Sequence, residues 1–254
     1  MRRILILGGT TEARELAARL AGRTDVAVTL SLAGRTANPV AQPVPVRIGG
    51  FGGAQGLARY LATERIDLLV VATHPYAAVI AGNAAQAARA AGVPLLVLTR
   101  PPWTAVAGDR WREAADAHDA IRLMGERPRH VFLALGRNDI RAFEAAPQHD
   151  YLVRSVDPIT PPLSVPRVSY ITARGPFAAA DERALFAAHA IETIVAKNSG
   201  GDATYGKLAA ARDLRIEVIM LRRPALPQVP AVATVAEALA RLDHAFAPSA
   251  DRAV

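Results

Sequence analysis

The segment G-D-A-T-Y-G-K-L, residues 201–208, differs by one residue from the phosphate-binding loop G-x-x-x-x-G-K-[ST]. That loop needs a serine or threonine after the lysine, because the hydroxyl binds Mg²⁺, and this chain has Leu208 there. The pattern also predicts that Gly206 and Lys207 lie inside a helix rather than at its start. No candidate partner strand ends in an aspartate that would help to hold the metal. The sequence therefore argues against nucleotide hydrolysis at this loop.

The residues just before this loop are better suited to bind an anion. A predicted apolar strand ends at Lys197, and Asn198, Ser199, Gly200 and Gly201 follow before the next helix. Glycines allow a tight turn and a close approach of the backbone, and the lysine adds a positive charge at the carboxyl end of a strand, where ligands bind in open α/β sheets. An ordinary strand–turn–helix connection would explain the glycines and the serine, but not the lysine. We therefore expect a ligand site here.

A second glycine turn follows the first predicted strand, in I-L-I-L-G-G-T-T-E-A-R. Gly8, Gly9, Thr10, Thr11 and Glu12 connect this strand to a helix. Backbone N–H groups at such a turn bind phosphates, and the threonine hydroxyls could add to them. The spacing differs from the dinucleotide fingerprint G-x-G-x-x-G, and the threonines would also serve as structural helix caps. The turn is a candidate cofactor-binding element.

The ends of two further buried strands bear on which cofactor this turn would bind. NAD sites place an acidic residue near the end of the second strand, whereas this chain offers Ser31 and Arg35 there. A hydroxyl and a guanidinium suit the 2′-phosphate of NADP, although a solvated loop arginine is the common alternative. Another strand ends at Thr73 and His74, which could contact a ligand, carry a proton or cap the next helix. Together these residues favour a dinucleotide with an extra phosphate.

Three arginines, Arg137, Arg154 and Arg174, lie at the ends of strands predicted for the second half of the chain. If these strands belong to one parallel sheet, the arginines share an edge and form a wall that binds carboxylates. The six histidines have no metal-ligand spacing and the chain has no cysteine, so we expect no metal site.

Apolar strands alternate with alanine-rich helices along the chain, which indicates an α/β fold with mainly parallel sheets. The alternation is interrupted near residues 126–130, where the chain becomes polar and contains a proline. This predicts two Rossmann-like or flavodoxin-like domains, residues 1–128 and 129–246, with a cleft between them and a flexible tail at 247–254. The first domain would carry the glycine turn, and the second would complete the cleft.

The composition narrows the range of partners. The chain of 254 residues is 51% apolar and has a net charge of +7. Aromatic residues make up 5% and basic residues are scattered, which disfavours nucleic acid and favours a small anionic ligand. No apolar run is long enough to span a membrane, and the lack of cysteine fits a cytoplasmic protein.

Several short motifs, taken in order, resemble those of the precorrin-6A reductase family of cobalamin biosynthesis. They are G-G-T-T-E-A-R (8–14), S-L-A-G-R-T (31–36), A-T-H-P-Y-A (72–77), V-R-S-V-D-P (153–158), A-R-G-P-F (173–177), and K-N-S-G-G with T-Y-G-K-L-A-A-A-R (within 197–212).

The resemblance implies an NADPH-dependent oxidoreductase that reduces one carbon–carbon double bond of precorrin-6A to give precorrin-6B. The motif G-G-T-T-E-A-R would bind the phosphates of the cofactor, Ser31 and Arg35 its 2′-phosphate, and K-N-S-G-G would face the nicotinamide or the macrocycle. The carboxylates of the tetrapyrrole would explain the basic charge of the chain. Lys197 or His74 would lie near the reacting carbon as a proton donor, unless water supplies the proton. Transient contact with neighbouring pathway enzymes is also expected. The alternatives are an NADPH-binding sensor without turnover and a two-domain Rossmann-like transferase.

Overall fold

The computed structural model describes residues 1–34, 41–225 and 227–246. The chain divides into two compact units: unit 1 contains residues 1–100 and 224–254, and unit 2 contains residues 101–223. Each unit is built around one six-stranded sheet, and all pairs of neighbouring strands are parallel. The predicted fold class, two α/β domains with parallel sheets, is confirmed.

Strands and helices alternate along most of the chain. The strands are β1 (Arg2–Leu7), β2 (Val26–Leu32), β3 (Val46–Ile48), β4 (Leu68–Val71), β5 (Leu95–Leu98), β6 (Trp111–Ala114), β7 (His130–Ala134), β8 (Asp150–Ser155), β9 (Val168–Thr172), β10 (Thr193–Lys197), β11 (Glu217–Leu221) and β12 (Ala231–Val232). The helices are α1 (Thr11–Ala21), α2 (Gly53–Thr63), α3 (Ala78–Ala91), α4 (Ala117–Met124), α5 (Arg137–Ile140), α6 (Ala179–Ala188), α7 (Gly206–Asp213) and α8 (Val235–Phe246), with a 3₁₀ helix at Arg141–Ala145.

The sheet of unit 1 has the strand order β3-β2-β1-β4-β5-β12. Its central strands are continuously apolar because helices cover both faces of the sheet. Ile4 and Ile6 pack in the cluster that includes α1 and α8, whereas Leu5 and Leu7 pack in the cluster that includes α2 and α3. The strand order reverses between β1 and β4, and ligands of open α/β sheets bind beside the carboxyl ends of the strands at such a reversal.

The sheet of unit 2 follows the same plan, with the order β9-β8-β7-β10-β11-β6. Phe132, Ile194 and Val218 on one face pack against Phe186 of α6 and Leu208 of α7. Helix α4 contacts β6, β11 and the 3₁₀ helix. Here the order reverses between β7 and β10, so a second candidate ligand position lies at the carboxyl ends of these two strands.

The units are not divided at residue 128, where the sequence placed the boundary. Strand β6 pairs with β11 and therefore belongs to the sheet of unit 2, whereas β12 pairs with β5 in unit 1. Unit 2 begins at Pro101, and the chain returns to unit 1 at Pro224. The polar stretch near residue 126 connects α4 to β7 inside unit 2. The tail predicted at 247–254 lies outside the described residues.

Some local predictions also differ from the structure. Helix α3 begins at Ala78, because Pro75 and Tyr76 form a turn before it. Helix α7 begins at Gly206, so Gly206 and Lys207 are its first two residues and do not lie inside it. The short strands β3 and β12 were not predicted. None of the helices in the described ranges is long and apolar enough to cross a membrane.

Candidate functional site

The first candidate site is the glycine turn at the carboxyl end of β1 in unit 1. Gly9 has a φ of +122°, a conformation that side-chain-bearing residues rarely adopt, and an added Cβ would meet no atom within 4 Å. At Gly8 an added Cβ would lie 2.6 Å from Leu30 Cδ1 and 3.3 Å from Ala13 Cβ. The two glycines thus have different roles: Gly8 allows α1 to pack closely on β2, and Gly9 leaves the turn open to a ligand.

Thr10 holds this turn in place. Its Oγ accepts a hydrogen bond from the N–H of Ala13 at 3.1 Å, which makes it the N-cap of α1. The same hydroxyl donates to the carbonyl oxygen of Ala72 at 2.8 Å and so ties the turn to the end of β4. The hydroxyl therefore has the structural role that the sequence left open. The exposed Thr11 is the first residue of α1, whose first-turn N–H groups have no helical acceptor.

The Glu12 carboxylate forms an ion pair with Arg100. Both of its carboxylate oxygens accept hydrogen bonds from Nη1 of Arg100, at 2.9 and 3.0 Å. The two side chains are 23% and 18% exposed, respectively. This ion pair gives Glu12 a structural partner that the sequence did not indicate, and its contact with the cofactor stays a prediction.

Of the two residues expected to contact a 2′-phosphate, the structure describes Ser31. Ser31 lies within β2 opposite Leu7 and is buried, with 6% of its surface exposed. Arg35 lies outside the described residues. The structure adds a cation that the sequence did not single out: Arg47 of β3 pairs in register with Ser31, and its guanidinium lies 3.8 Å from the ring centroid of Phe51.

His74 and Thr73 follow β4, at the strand-order reversal of unit 1. The Nδ1 atom of His74 accepts a hydrogen bond from the N–H of Tyr76 at 3.3 Å. A neutral imidazole that accepts through Nδ1 carries its proton on Nε2, so only that nitrogen could donate to a ligand. Neither residue caps α3, whose N-cap is Ala77.

The second candidate site lies at the strand-order reversal of unit 2. Lys197 ends β10, and its Nζ lies 2.6 Å from Oδ2 of Asp139 in α5. Both side chains are partly exposed, at 19% and 33%. An added Cβ at Gly136, just after β7, would lie 3.3 Å from that carboxylate oxygen and 3.7 Å from the ammonium nitrogen. The glycine therefore leaves room for a fixed ammonium group at the carboxyl edge of the sheet.

The loop after Lys197 is anchored by Trp103. The side-chain oxygen of Asn198 accepts the N–H of Trp103 at 2.7 Å, and its amide nitrogen donates to the Trp103 carbonyl at 2.9 Å. The indole N–H of Trp103 donates to the carbonyl oxygen of Gly201 at 2.9 Å. Gly200 and Gly201 both have positive φ, which explains the glycine pair. The Asn198 side chain thus positions the loop, and its contact with substrate stays a prediction. Ser199 is half-buried beside it.

The lysine of the near-miss phosphate loop is not available to a nucleotide. Lys207 is 4% exposed, donates to the carbonyl oxygen of Thr204 at 2.7 Å and lies 4.6 Å from the ring centroid of Trp103. Leu208 is fully buried. Although Gly206 and Lys207 do begin a helix, these contacts and the buried Leu208 oppose nucleotide hydrolysis at this loop.

The three predicted arginines lie at the carboxyl ends of the adjacent strands β7, β8 and β9, but they are not alike. Arg137 and Arg174 are exposed. Arg154 is buried, pairs with Glu182 through hydrogen bonds of 2.5 and 2.8 Å, and lies 3.7 Å from the ring centroid of Phe177. Arg154 therefore belongs to the interior of unit 2 and not to a surface wall, which corrects the prediction.

The segment after β8 is fixed beside Arg137. Arg137 donates to the carbonyl oxygen of Pro158 at 3.4 Å. A Glu144 carboxylate oxygen accepts the N–H of Ser164 and a guanidinium N–H of Arg141, both at 2.9 Å. The Ser164 N–H, followed by Arg141, holds the pKa of Glu144 below its usual range. The proline-rich segment is thus attached to the 3₁₀ helix at an edge rich in positive charge.

The sequence model of the family described as precorrin-6x reductase CbiJ/CobK matches residues 3–243. The chain belongs to this family. It is 57% identical over 247 residues to a precorrin-6A reductase of Sinorhizobium sp, covering 97% of this chain and 95% of the relative. It is 47% identical over 249 residues to the precorrin-6A reductase of Rhodobacter capsulatus, covering 98% and 99%. A solved structure titled CobK precorrin-6A reductase matches with a TM-score of 0.91 and 45% identity over 98% of this chain and 99% of that one.

In this member of the CbiJ/CobK family, the sequence missed the partners that hold the site residues. Arg100 pairs with Glu12, and Asp139 pairs with Lys197. Arg100 and Asp139 each lie shortly after a strand, and this position is the local sequence signal that could have indicated them. Arg223 follows β11 and donates to the carbonyl oxygen of Asn198 at 2.7 Å. Within the described ranges, no group of three or more histidine, aspartate or glutamate side chains could hold a metal ion.

Proposed function

We propose that this oxidoreductase reduces a carbon–carbon double bond of precorrin-6A with NADPH, giving precorrin-6B in cobalamin biosynthesis. The observation that carries this proposal is the family match over residues 3–243, which includes both glycine turns and both strand-order reversals. The oxidoreductase class follows from the family. The choice of NADPH over NADH is proposed from the residues of unit 1.

The turn of unit 1 fits a dinucleotide. Gly9 has a positive φ with open space beside it, and the first turn of α1 offers backbone N–H donors that suit a phosphate. Ser31 and Arg35 are proposed to bind the 2′-phosphate, because the second strand ends without the carboxylate that would favour NADH. When bound, NADPH supplies the hydride.

The carboxyl edge of the sheet in unit 2 fits a polycarboxylate. Arg137 and Arg174 are exposed at the ends of β7 and β9, and Lys197 ends β10. We assign the arginines to substrate carboxylates. We assign Lys197 to the delivery of the proton that must reach the carbon beside the one that accepts the hydride. Asp139 supports this role because it fixes the ammonium group at 2.6 Å. His74 is the alternative donor through its Nε2–H, since its Nδ1 accepts the backbone N–H of Tyr76.

The cofactor assignment is tested by titrating the purified protein with NADPH and with NADH, following nucleotide fluorescence. We expect tighter binding of NADPH, and we expect Arg35→Ala to weaken NADPH binding by about tenfold or more while leaving NADH binding unchanged. Arg89→Ala, which removes an exposed arginine from the last turn of α3, is the matched control and should change neither affinity. Equal affinity for the two dinucleotides in the wild type would contradict the assignment.

The proton assignment is tested with Lys197→Met. We expect the loss of turnover with NADPH affinity largely unchanged, because the residues assigned to the cofactor phosphates do not include Lys197. Unchanged turnover would remove the lysine from this role and leave His74 or water as the donor. Dinucleotide binding in the wild type without any reduction of precorrin-6A would instead favour a sensor.

A further inference from the structure

The ion pair between Arg100 and Glu12 lies at the start of α1, where unit 1 is expected to bind a diphosphate. Arg100 lies just after β5, and Glu12 lies in the first turn of α1, which follows β1. Strand β4 separates β5 from β1 in the sheet. The Arg100 side chain therefore reaches past the end of β4 and over the strand-order reversal to contact Glu12 at 2.9 and 3.0 Å.

A carboxylate at the second position of α1 would by itself oppose an anionic ligand. The N–H groups at the start of a helix attract negative charge, whether it belongs to a glutamate side chain or to a phosphate. A Glu12 carboxylate without its partner would compete with the diphosphate for these groups and would also repel it. The contact with Arg100 engages both carboxylate oxygens and balances their charge in a partly buried place.

We propose that Arg100 is a positioning residue for the dinucleotide: it holds the Glu12 carboxylate to one side and neutralises it, so that the start of α1 can accept the cofactor diphosphate. This inference rests on the proposed function, since it assumes that unit 1 binds a dinucleotide. It concerns the diphosphate, which NADPH and NADH share. It therefore predicts an effect on both dinucleotides, in contrast to Arg35, whose predicted effect is confined to NADPH.

The test is a double-variant cycle on dinucleotide affinity, measured by nucleotide fluorescence with the full chain. In Arg100→Gln the dissociation constants of NADPH and NADH should both rise by roughly tenfold, with their ratio unchanged. Glu12→Gln alone should bind at least as tightly as the wild type. The double variant Arg100→Gln with Glu12→Gln should recover affinity to within about twofold of Glu12→Gln alone.

Controls separate this effect from general damage. Arg19→Gln removes one exposed arginine from the last turn of the same helix and should leave both dissociation constants unchanged. The thermal midpoint of every variant is measured alongside, because a purely structural role for the pair would lower the midpoint without the rescue of affinity by Glu12→Gln.

Two results would overturn the inference. One is unchanged affinity in Arg100→Gln; the other is a double variant as weak as Arg100→Gln, which would mean that Arg100 does not act through Glu12. Both require a wild-type protein that binds NADPH. A wild type that binds neither dinucleotide would instead contradict the proposed function, so the two failures are distinguishable.

Discussion

Replacing Arg154 by methionine is expected to lower the free energy of unfolding by about 3–5 kcal/mol. The Arg154 and Glu182 side chains are 7% and 3% exposed and share two hydrogen bonds. Methionine retains much of the apolar volume but leaves the Glu182 carboxylate buried without its cation, which accounts for most of the loss. The guanidinium also lies 3.7 Å from the ring centroid of Phe177, and losing this contact adds roughly 0.5–2 kcal/mol.

Urea unfolding followed by circular dichroism measures this change. The double variant Arg154→Met with Glu182→Leu should return to within about 1 kcal/mol of the wild type, because removing both charges avoids the unpaired carboxylate. Arg174→Gln is the matched control, since Arg174 is an exposed arginine at the end of a strand of the same sheet; it should change stability by less than about 0.5 kcal/mol.

The opposite pattern would refute this reasoning. If Arg154→Met leaves the free energy of unfolding unchanged and raises KM for the tetrapyrrole, the side chain binds substrate, as the sequence pattern first indicated. If the double variant is less stable than Arg154→Met, Glu182 does not depend on Arg154 for its charge balance.

Three further predictions concern the two sites and the pH dependence of stability. Asp139→Asn should lower kcat for precorrin-6A by about tenfold with NADPH affinity unchanged, because Lys197 loses the carboxylate that fixes it. Steady-state kinetics measures kcat and the nucleotide titration measures the affinity. An unchanged kcat would contradict this prediction. Gly9→Ala should cost about 1–3 kcal/mol through its positive φ and weaken NADPH binding, whereas Gly22→Ala, at negative φ with open space, should do neither in the same unfolding and binding assays. Burial lowers the pKa of His149 below its usual value of 6.5, so the unfolded chain takes up the proton more readily than the folded one. The free energy of unfolding should therefore fall as the pH drops below about 6.5. Urea unfolding at about pH 7.5 and about pH 5.5 should show this fall in the wild type and a smaller one in His149→Phe.

The features that local sequence signals specify could be predicted. Thr10 caps α1 and Gly22 ends it, as the pattern of threonine, apolar repeat and glycine indicates. The alternation of strands and helices also predicts parallel sheets, and from this the shared edge of Arg137, Arg154 and Arg174 follows. The missed strands β3 and β12 have three and two residues, too few for a periodic pattern.

The features that depend on contacts between distant residues could not be predicted. The unit boundary depends on β6 pairing with β11 and β12 pairing with β5, and no local composition marks these pairings. The ion pairs of Glu12 and Arg154 could not be predicted for the same reason, since their partners lie 88 and 28 residues away. A charged residue at a strand end indicates a site, but its partner decides whether the charge is open to a ligand.

Turnover of precorrin-6A by the full chain tests the central claim most directly. The protein is incubated with precorrin-6A and NADPH without oxygen, while nucleotide absorbance and the mass of the tetrapyrrole are followed. The account predicts that NADPH is consumed in equal amount to a product heavier by one hydride and one proton, and that NADH supports the reaction more slowly. An unchanged tetrapyrrole in the presence of bound NADPH, with the wild-type protein folded, would contradict it.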